Sequence, residues 1–177
     1  MKSHVPKIPI AIIEQTEEKP FNRGKLLNIG ALQFPSEYYI MHDIDMLPVD
    51  FRYEPPSFDD SVIQFALSDI QKEDYLGGVT MFPHPIFIKI GGYNNDYFHR
   101  AEDNEMMFNL KRLGIPVYND FQKFRQLPHP RTGKEFDPKL WKKAQEKRRI
   151  QDQLNSCAYD IIATSHLKNI THLIVSL

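Results

Sequence analysis

Cysteine occurs once in the 177 residues, as Cys157, so no internal disulfide can form and the redox compartment stays open. An excess of one charge sign is also lacking. Lys and Arg number 22 against 23 Asp and Glu, a formal net charge of -1, which implies no general pull toward nucleic acid or a membrane surface. No apolar run approaches the roughly 20 residues needed to span a bilayer. The start, Met1-Lys2-Ser3-His4-Val5-Pro6-Lys7, has no apolar stretch and does not read as a signal peptide. Internal repeats, low-complexity segments and heptads are absent as well. As written this reads as a soluble chain without a membrane segment. It would be cytoplasmic in a prokaryote or virus, or in a secretory compartment only if an anchor lay elsewhere.

What is present fits a folded domain. Hydrophobic residues make up 41%, charged residues 25% and aromatics 12%, all globular values. The length suits one domain, residues 1–177, with a real core. Ile8 to Ile13 has the pattern of a strand buried on both faces, and Asn22 is a plausible cap for a helix carrying Leu26, Leu27 and Ile29. With a strand over 38–42, this makes a βαβ unit and implies a parallel sheet. Val62 to Leu67 reads as another strand, and Pro85 to Ile90 as a short helix ended by Gly91-Gly92. A helix follows Glu102-Asp103-Asn104-Glu105, with Met106, Met107, Leu110 and Leu113 on one stripe and Gly114 as its stop. Ile115 to Tyr118, Tyr159 to Thr164 and Leu173 to Leu177 suggest further strands, and Pro138 to Leu154 a charged helix. Residues 124–131 read as a loop with His129 between prolines.

The stretch Tyr38-Tyr39-Ile40-Met41-His42-Asp43-Ile44-Asp45-Met46-Leu47-Pro48 organises the rest. A strand ends there in two carboxylates, and alternation along extended backbone would put Asp43 and Asp45 on one side, facing one hard cation. Ligands of open α/β sheets collect beyond the strands' carboxyl ends, so the motif suits a divalent metal and a phosphorylated ligand. A bare Asp-x-Asp is far more often a turn with two solvated acids, so its context decides. Gly77-Gly78 ahead of a strand pattern can mark backbone that approaches a ligand, or an ordinary turn. The acids at 102–105 are more than a helix cap requires.

Taken in order, five blocks carry a resemblance: Phe21-Asn22-Arg23-x-Lys25-Leu26-Leu27-Asn28-x-Gly30, Met41 to Pro48, Tyr75-Leu76-Gly77-Gly78-Val79, Lys89 to Asn95, and Glu102-Asp103-Asn104-Glu105. Together they resemble the β-1,4-galactosyltransferase family, and His42 to Pro48 with Leu154-Asn155-Ser156 looks most like its xylosylprotein 4-β-galactosyltransferase branch. The resemblance implies a GT-A-like, Rossmann-like α/β fold with a mixed, mostly parallel sheet between helices. It implies a metal-dependent, inverting transfer of galactose from UDP-galactose to a glycan hydroxyl, with Mn²⁺ as cofactor. By position, Asp45 and His129 would bind the metal. Phe21 and Arg23 would contact the nucleotide, Asp43 the donor, and Gly78 would offer it backbone. Tyr75 would favour galactose over N-acetylgalactosamine. Asp103 would be the base and Glu102 would hold sugar hydroxyls.

The same resemblance points to departures. A Pro-Phe-Arg-x-Arg strand and helix, which form much of the family's uridine pocket, find no counterpart before Ile8, so a fold truncated at its N-terminus is expected. Tyr97-Phe98-His99-Arg100 replaces the family's Trp-Gly-Trp-Gly, putting His99 where an aromatic ring would pack on sugar. Gln126 stands where relatives place a Met or His metal ligand. Two other functions fit parts of the pattern. A non-catalytic glycan or nucleotide-sugar binding module would keep the fold without turnover. A metal phosphohydrolase using Asp43 and Asp45 would need further acid and histidine clusters, which the sequence lacks.

Overall fold

The computed structural model describes residues 8–49, 53, 59–66, 75–97, 101–120, 124–128, 138–146 and 150–177. In chain order the elements are β1 (Ile10–Gln15), α1 (Arg23–Gln33), β2 (Tyr38–His42), β3 (Met46–Pro48), β4 (Val62–Ala66), β5 (Val79–Pro83), α2 (His84–Lys89), α3 (Glu102–Arg112), β6 (Val117–Asn119), β7 (Phe124–Gln126), α4 (Pro138–Glu146), β8 (Asp160–Leu167) and β9 (Ile170–Ser176).

Three sheets are formed among the described residues, with strand orders β2-β5-β4-β6, β1-β9-β8 and β3-β7. The α/β character and mixed sheets match expectation, but the pairing is not mostly parallel. Among the described strands, β1–β9 and β4–β6 run parallel, whereas β2–β5, β4–β5, β3–β7 and β8–β9 are antiparallel. Nor do β1 and β2 pair within one sheet: β1 takes its parallel partner from the far end of the chain, with Ile10 opposite Ile170 and Gln15 opposite Val175. The βαβ reading assumed that consecutive strands become neighbours, and a late strand displaces that arrangement. Ala11, Ile12 and Glu14 are exposed, so β1 is an edge strand and not the doubly buried one its apolar run suggested.

Helix α1 joins two of the hydrophobic clusters. Its Leu26 and Ile29 pack with Leu173 and Val175, while Ala31 and Leu27 join the larger core around Phe82, Phe87, Tyr93, Met106 and Leu110. Strands β4 and β5 are buried at every position. Apart from Gln64 and Thr80, whose side chains donate to the Tyr75, Gly77 and Leu76 carbonyls, these runs are apolar, as a strand covered on both faces requires. The edge-on packing of Phe82 on Phe87 (5.6 Å between centroids) and on Tyr93 (6.2 Å) ties β5, α2 and the following loop into one block.

Candidate active site

Strand β2 stops at His42, and the chain turns at once: Met46 N–H donates to the Asp43 carbonyl at 3.0 Å. Alternation therefore ends where the two acids begin, and hydrogen bonds lead from their carboxylates to different segments. Asp43 clamps Gly78, donating its N–H to the Gly78 carbonyl (2.9 Å) and accepting from the Gly78 N–H on Oδ2 (3.0 Å). Gly78 has φ of 98°, a conformation that favours glycine, which accounts for its identity. Asp45 instead turns to β7, where its Oδ2 accepts from the Gln126 amide (2.7 Å) and its carbonyl from Leu127 N–H (2.7 Å).

Arg23, the first residue of α1, reaches Asp43. Its Nε and Nη2 donate to Asp43 Oδ1 at 2.9 and 2.6 Å. Its Nη1 donates to Asp103 Oδ1 at 2.9 Å and lies 3.8 Å from Glu102 Oε1. A cation at a helix N-terminus opposes the helix dipole, so these acids must hold it there. Burial alone would lower the guanidinium pKa, but Asp103 and Asp43 reverse this and keep it charged.

The acids on α3 come from the helix's first turn, where Glu102, Asp103 and Glu105 are all buried. Capping does not account for Asp103: the N-cap is Ala101, in left-handed backbone (φ 66°), and the Asp103 carboxylate is turned to Arg23. Burial pushes the Asp103 carboxyl up to about 7 against the pull of Arg23, with Glu102 and Asp43 adding to the rise. Glu102 is raised as well, by burial first, then opposed by Arg23. Its Oε2 is buried with no hydrogen-bond partner, as is the Tyr93 hydroxyl. Burial, with Asp103 next, pushes the Tyr93 phenol well up. One guanidinium thus collects carboxylates from the end of β2 and the start of α3.

Of the other expected site residues, Phe21 is 47% exposed just ahead of α1. Tyr75 lies folded over Gly77, where an added Cβ would sit 1.9 Å from its hydroxyl oxygen. His99 and His129 lie outside the described residues. For a cation, the described chain offers the Asp45 carboxylate and the Gln126 amide. An amide's oxygen and nitrogen exchange places by a flip, so Gln126 can turn a carbonyl oxygen to an ion held by Asp45. Such an all-oxygen pair suits Mn²⁺ or Mg²⁺. Among the described residues no group of three or more His, Cys, Asp or Glu is arranged to hold a metal ion.

Sequence reasoning missed His42, Asn28 and Tyr93. His42 Nδ1 lies 2.8 Å from the Asp43 carbonyl and Nε2 2.9 Å from the Tyr53 hydroxyl. Burial lowers its pKa, so it is neutral near pH 7. The signal for Asn28 was available: an amide between Leu27 and Ile29, in a helix whose neighbours are apolar, must find internal partners if buried.

The sequence pattern of the N-terminal region of glycosyl transferase group 7 matches residues 6–54. β-1,4-Galactosyltransferase 4 of Homo sapiens is 30% identical over 173 residues, covering 89% of this chain and 50% of that protein. Xylosylprotein 4-β-galactosyltransferase of Caenorhabditis elegans is 29% identical over 148 residues, 73% of this chain and 50% of its own length. The chain thus spans about half the length of these curated relatives. Among solved structures, a mutant of Drosophila β-1,4-galactosyltransferase 7 in complex with manganese, UDP-Gal and xylobiose superposes with a TM-score of 0.76 at 24% identity. It covers 96% of this chain and 80% of that one. That likeness gives the fold, a GT-A-like α/β domain. No described helix is long and apolar enough to cross a membrane. Over most of its length the chain is thus similar in sequence to β-1,4-galactosyltransferases, and it shares their fold.

Proposed function

We propose that residues 1–177 form a single glycosyltransferase domain that moves galactose from UDP-galactose to a sugar hydroxyl of a glycan, with inversion and with Mn²⁺. The observation that carries this reading is the convergence of Asp43, Glu102 and Asp103 on Arg23, with Asp103 buried yet bonded at 2.9 Å. An inverting transfer needs a base beside the acceptor, on the face of the sugar opposite the leaving group. Asp103 is raised to about 7, so it is a stronger base than an ordinary carboxylate and ionises as pH rises through neutrality. The acceptor oxygen attacks the anomeric carbon, its proton passes to Asp103, and the bond to the diphosphate breaks with its electron pair leaving on UDP. Positive charge gathering on the sugar ring is stabilised by neighbouring carboxylates, a role that falls to Glu102 and Asp43. Asp45, with Gln126 and His129, would hold the metal, which when bound neutralises the diphosphate charge. Phe21 and Arg23 would contact the nucleotide, Gly78 would offer backbone to the donor, Tyr75 would select it, and the role left for His99 is contact with the glycan acceptor.

Calorimetry with UDP, with and without Mn²⁺, and transfer from UDP-galactose to xylobiose test the reading. Metal-dependent UDP binding with turnover supports it, whereas glycan binding without UDP points to a non-catalytic module. Asp45→Asn is expected to abolish metal-dependent UDP binding, while exposed Asp60→Asn leaves it intact. Equal losses in both variants, or none in either, would remove the metal role from Asp45.

A further inference from the structure

We propose that Asn28 is a positioning residue: its buried amide fixes the loop from Gly91 to Asn95 and, through that loop, the first turn of α3 with Glu102 and Asp103. The inference rests on the transferase reading of that turn.

Asn28 lies mid-way along α1 with no solvent exposure. Its Oδ1 accepts the Tyr93 N–H at 2.8 Å, and its Nδ2 donates to the Tyr93 carbonyl at 2.7 Å and to Asn95 Oδ1 at 2.9 Å. One side chain thus takes both backbone groups of Tyr93, as a neighbouring strand would. The fit is close. A Cβ on Gly92 would lie 2.5 Å from Asn28 Oδ1, and Gly92 has φ of 76°, so the loop passes the amide only as glycine. Asn95 extends the hold: its N–H donates to Gln153 Oε1 (3.0 Å), its amide to the Gln153 carbonyl (2.6 Å), and its carbonyl accepts from Asn22 (2.6 Å).

Two contacts carry that position to the acids. The Asn94 amide donates to both carboxylate oxygens of Glu105, at 3.3 and 3.2 Å, in the first turn of α3. At Gly24, one turn before Asn28, the point where a Cβ would sit lies 3.1 Å from Tyr93 Cβ and the Asn94 carbonyl, and 3.4 Å from Glu102 Cβ. The loop, α1 and α3 therefore meet with no slack beside Arg23. Losing the amide removes three bonds at the loop's centre and leaves buried backbone groups of Tyr93 unpaired, which a buried site tolerates poorly. Asn28 touches none of the acids itself.

The test uses the full chain with Asn28→Asp, which keeps the acceptor and loses both donors, and Asn95→Ala, which loses the bonds to Asn28 and to the Gln153 carbonyl but leaves Tyr93 pinned. Hydrogen exchange, UDP–Mn²⁺ affinity and transfer to xylobiose are measured on each. For Asn28→Asp, exchange at residues 91–97 and 101–105 should quicken at least tenfold, with β4 and β5 unchanged. The transfer rate per folded molecule should fall at least tenfold, and UDP–Mn²⁺ affinity should stay within about twofold. Asn95→Ala should repeat the pattern at smaller size, so a variant at 28 that fails to fold does not end the test. Uniform quickening across the domain, or local loosening with an unchanged transfer rate, would overturn the proposal. If the unaltered chain transfers no galactose, the transferase reading falls by itself, and the exchange pattern alone decides whether Asn28 positions the α3 turn.

Discussion

At the scale of single residues, two forces act on Asp103 in opposite directions, and burial is the stronger. The sign of the consequence follows. An unfolded carboxyl titrates near 4, so between about pH 4 and 7 the folded chain holds a proton that the unfolded chain has released. Its contribution to stability is therefore full below the unfolded pKa and is lost as pH rises toward 7. Glu102, also raised, adds in the same sense; Arg23 and Asp43 face the pair, and Tyr93 stays protonated. Urea unfolding at several pH values between 4.5 and 7.5 should show stability declining in the unaltered chain and a shallower decline in Asp103→Asn. The same substitution should cut transfer by about 10²–10⁴-fold with UDP–Mn²⁺ affinity nearly unchanged. An equal pH slope in both proteins would mean that Asp103 is not the titrating group. Tyr75 offers a second residue-scale case. Its ring occupies the space a side chain at 77 would need, so Gly77→Ala must move it. If Tyr75 selects the donor, Gly77→Ala and Tyr75→Leu should both raise use of UDP-N-acetylgalactosamine; a donor ratio unmoved in both variants would take selection away from this residue.

Elements were legible where local pattern and burial agree. The aromatic and β-branched run at Tyr38 to Met41 is a strand, and the stripe of Met106 and Leu110 is a helix face in the core. Helix α1 runs through Gly30 to Gln33, and a Cβ added at Gly30 would meet only Ile13, at ordinary contact distance. The three-residue ladder β3–β7 was not legible: Pro48 reads as an end and 124–131 as a loop. That ladder places Gln126 beside Asp45, so part of the candidate metal site was hidden with it. The two glycines of α1 give opposed predictions. Alanine in a helix is intrinsically better than glycine by about 1 kcal/mol. At Gly30 nothing opposes this, and Gly30→Ala should stabilise by about 0.5–1 kcal/mol. At Gly24 the new methyl would press on Tyr93, the Asn94 carbonyl and Glu102. The loop is pinned by Asn28 and cannot give way, so Gly24→Ala should cost about 1–3 kcal/mol. Chemical denaturation reads both, and a gain at both positions would show that the loop yields.

Over the whole molecule, what escaped the sequence is pairing between its ends. Nothing local in Ile10 to Gln15 indicates that it lies beside Ile170 to Val175, since a parallel partner leaves no turn signal. Yet this pairing completes the second core, where Leu173 and Val175 close over Leu26 and Ile29 of α1. Asn22, Arg23 and Asn28 all project from the start or middle of that helix, so the seat of the site depends on residues near the chain's end. Leu173→Ala should cost about 2–5 kcal/mol, the usual range for deleting a buried leucine's methyls. That is a large share of a typical domain's roughly 5–15 kcal/mol. Ile162→Ala on β8 removes a side chain that is 60% exposed and should stay within about 0.5 kcal/mol of the unaltered chain. If α1 depends on β9 as described, Leu173→Ala should also quicken exchange through α1 more than through β4 and β5, and weaken UDP binding below its melting range. Equal costs at 162 and 173, or a Leu173→Ala protein whose α1 exchanges as slowly as before, would mean that the helix is held by the larger core alone.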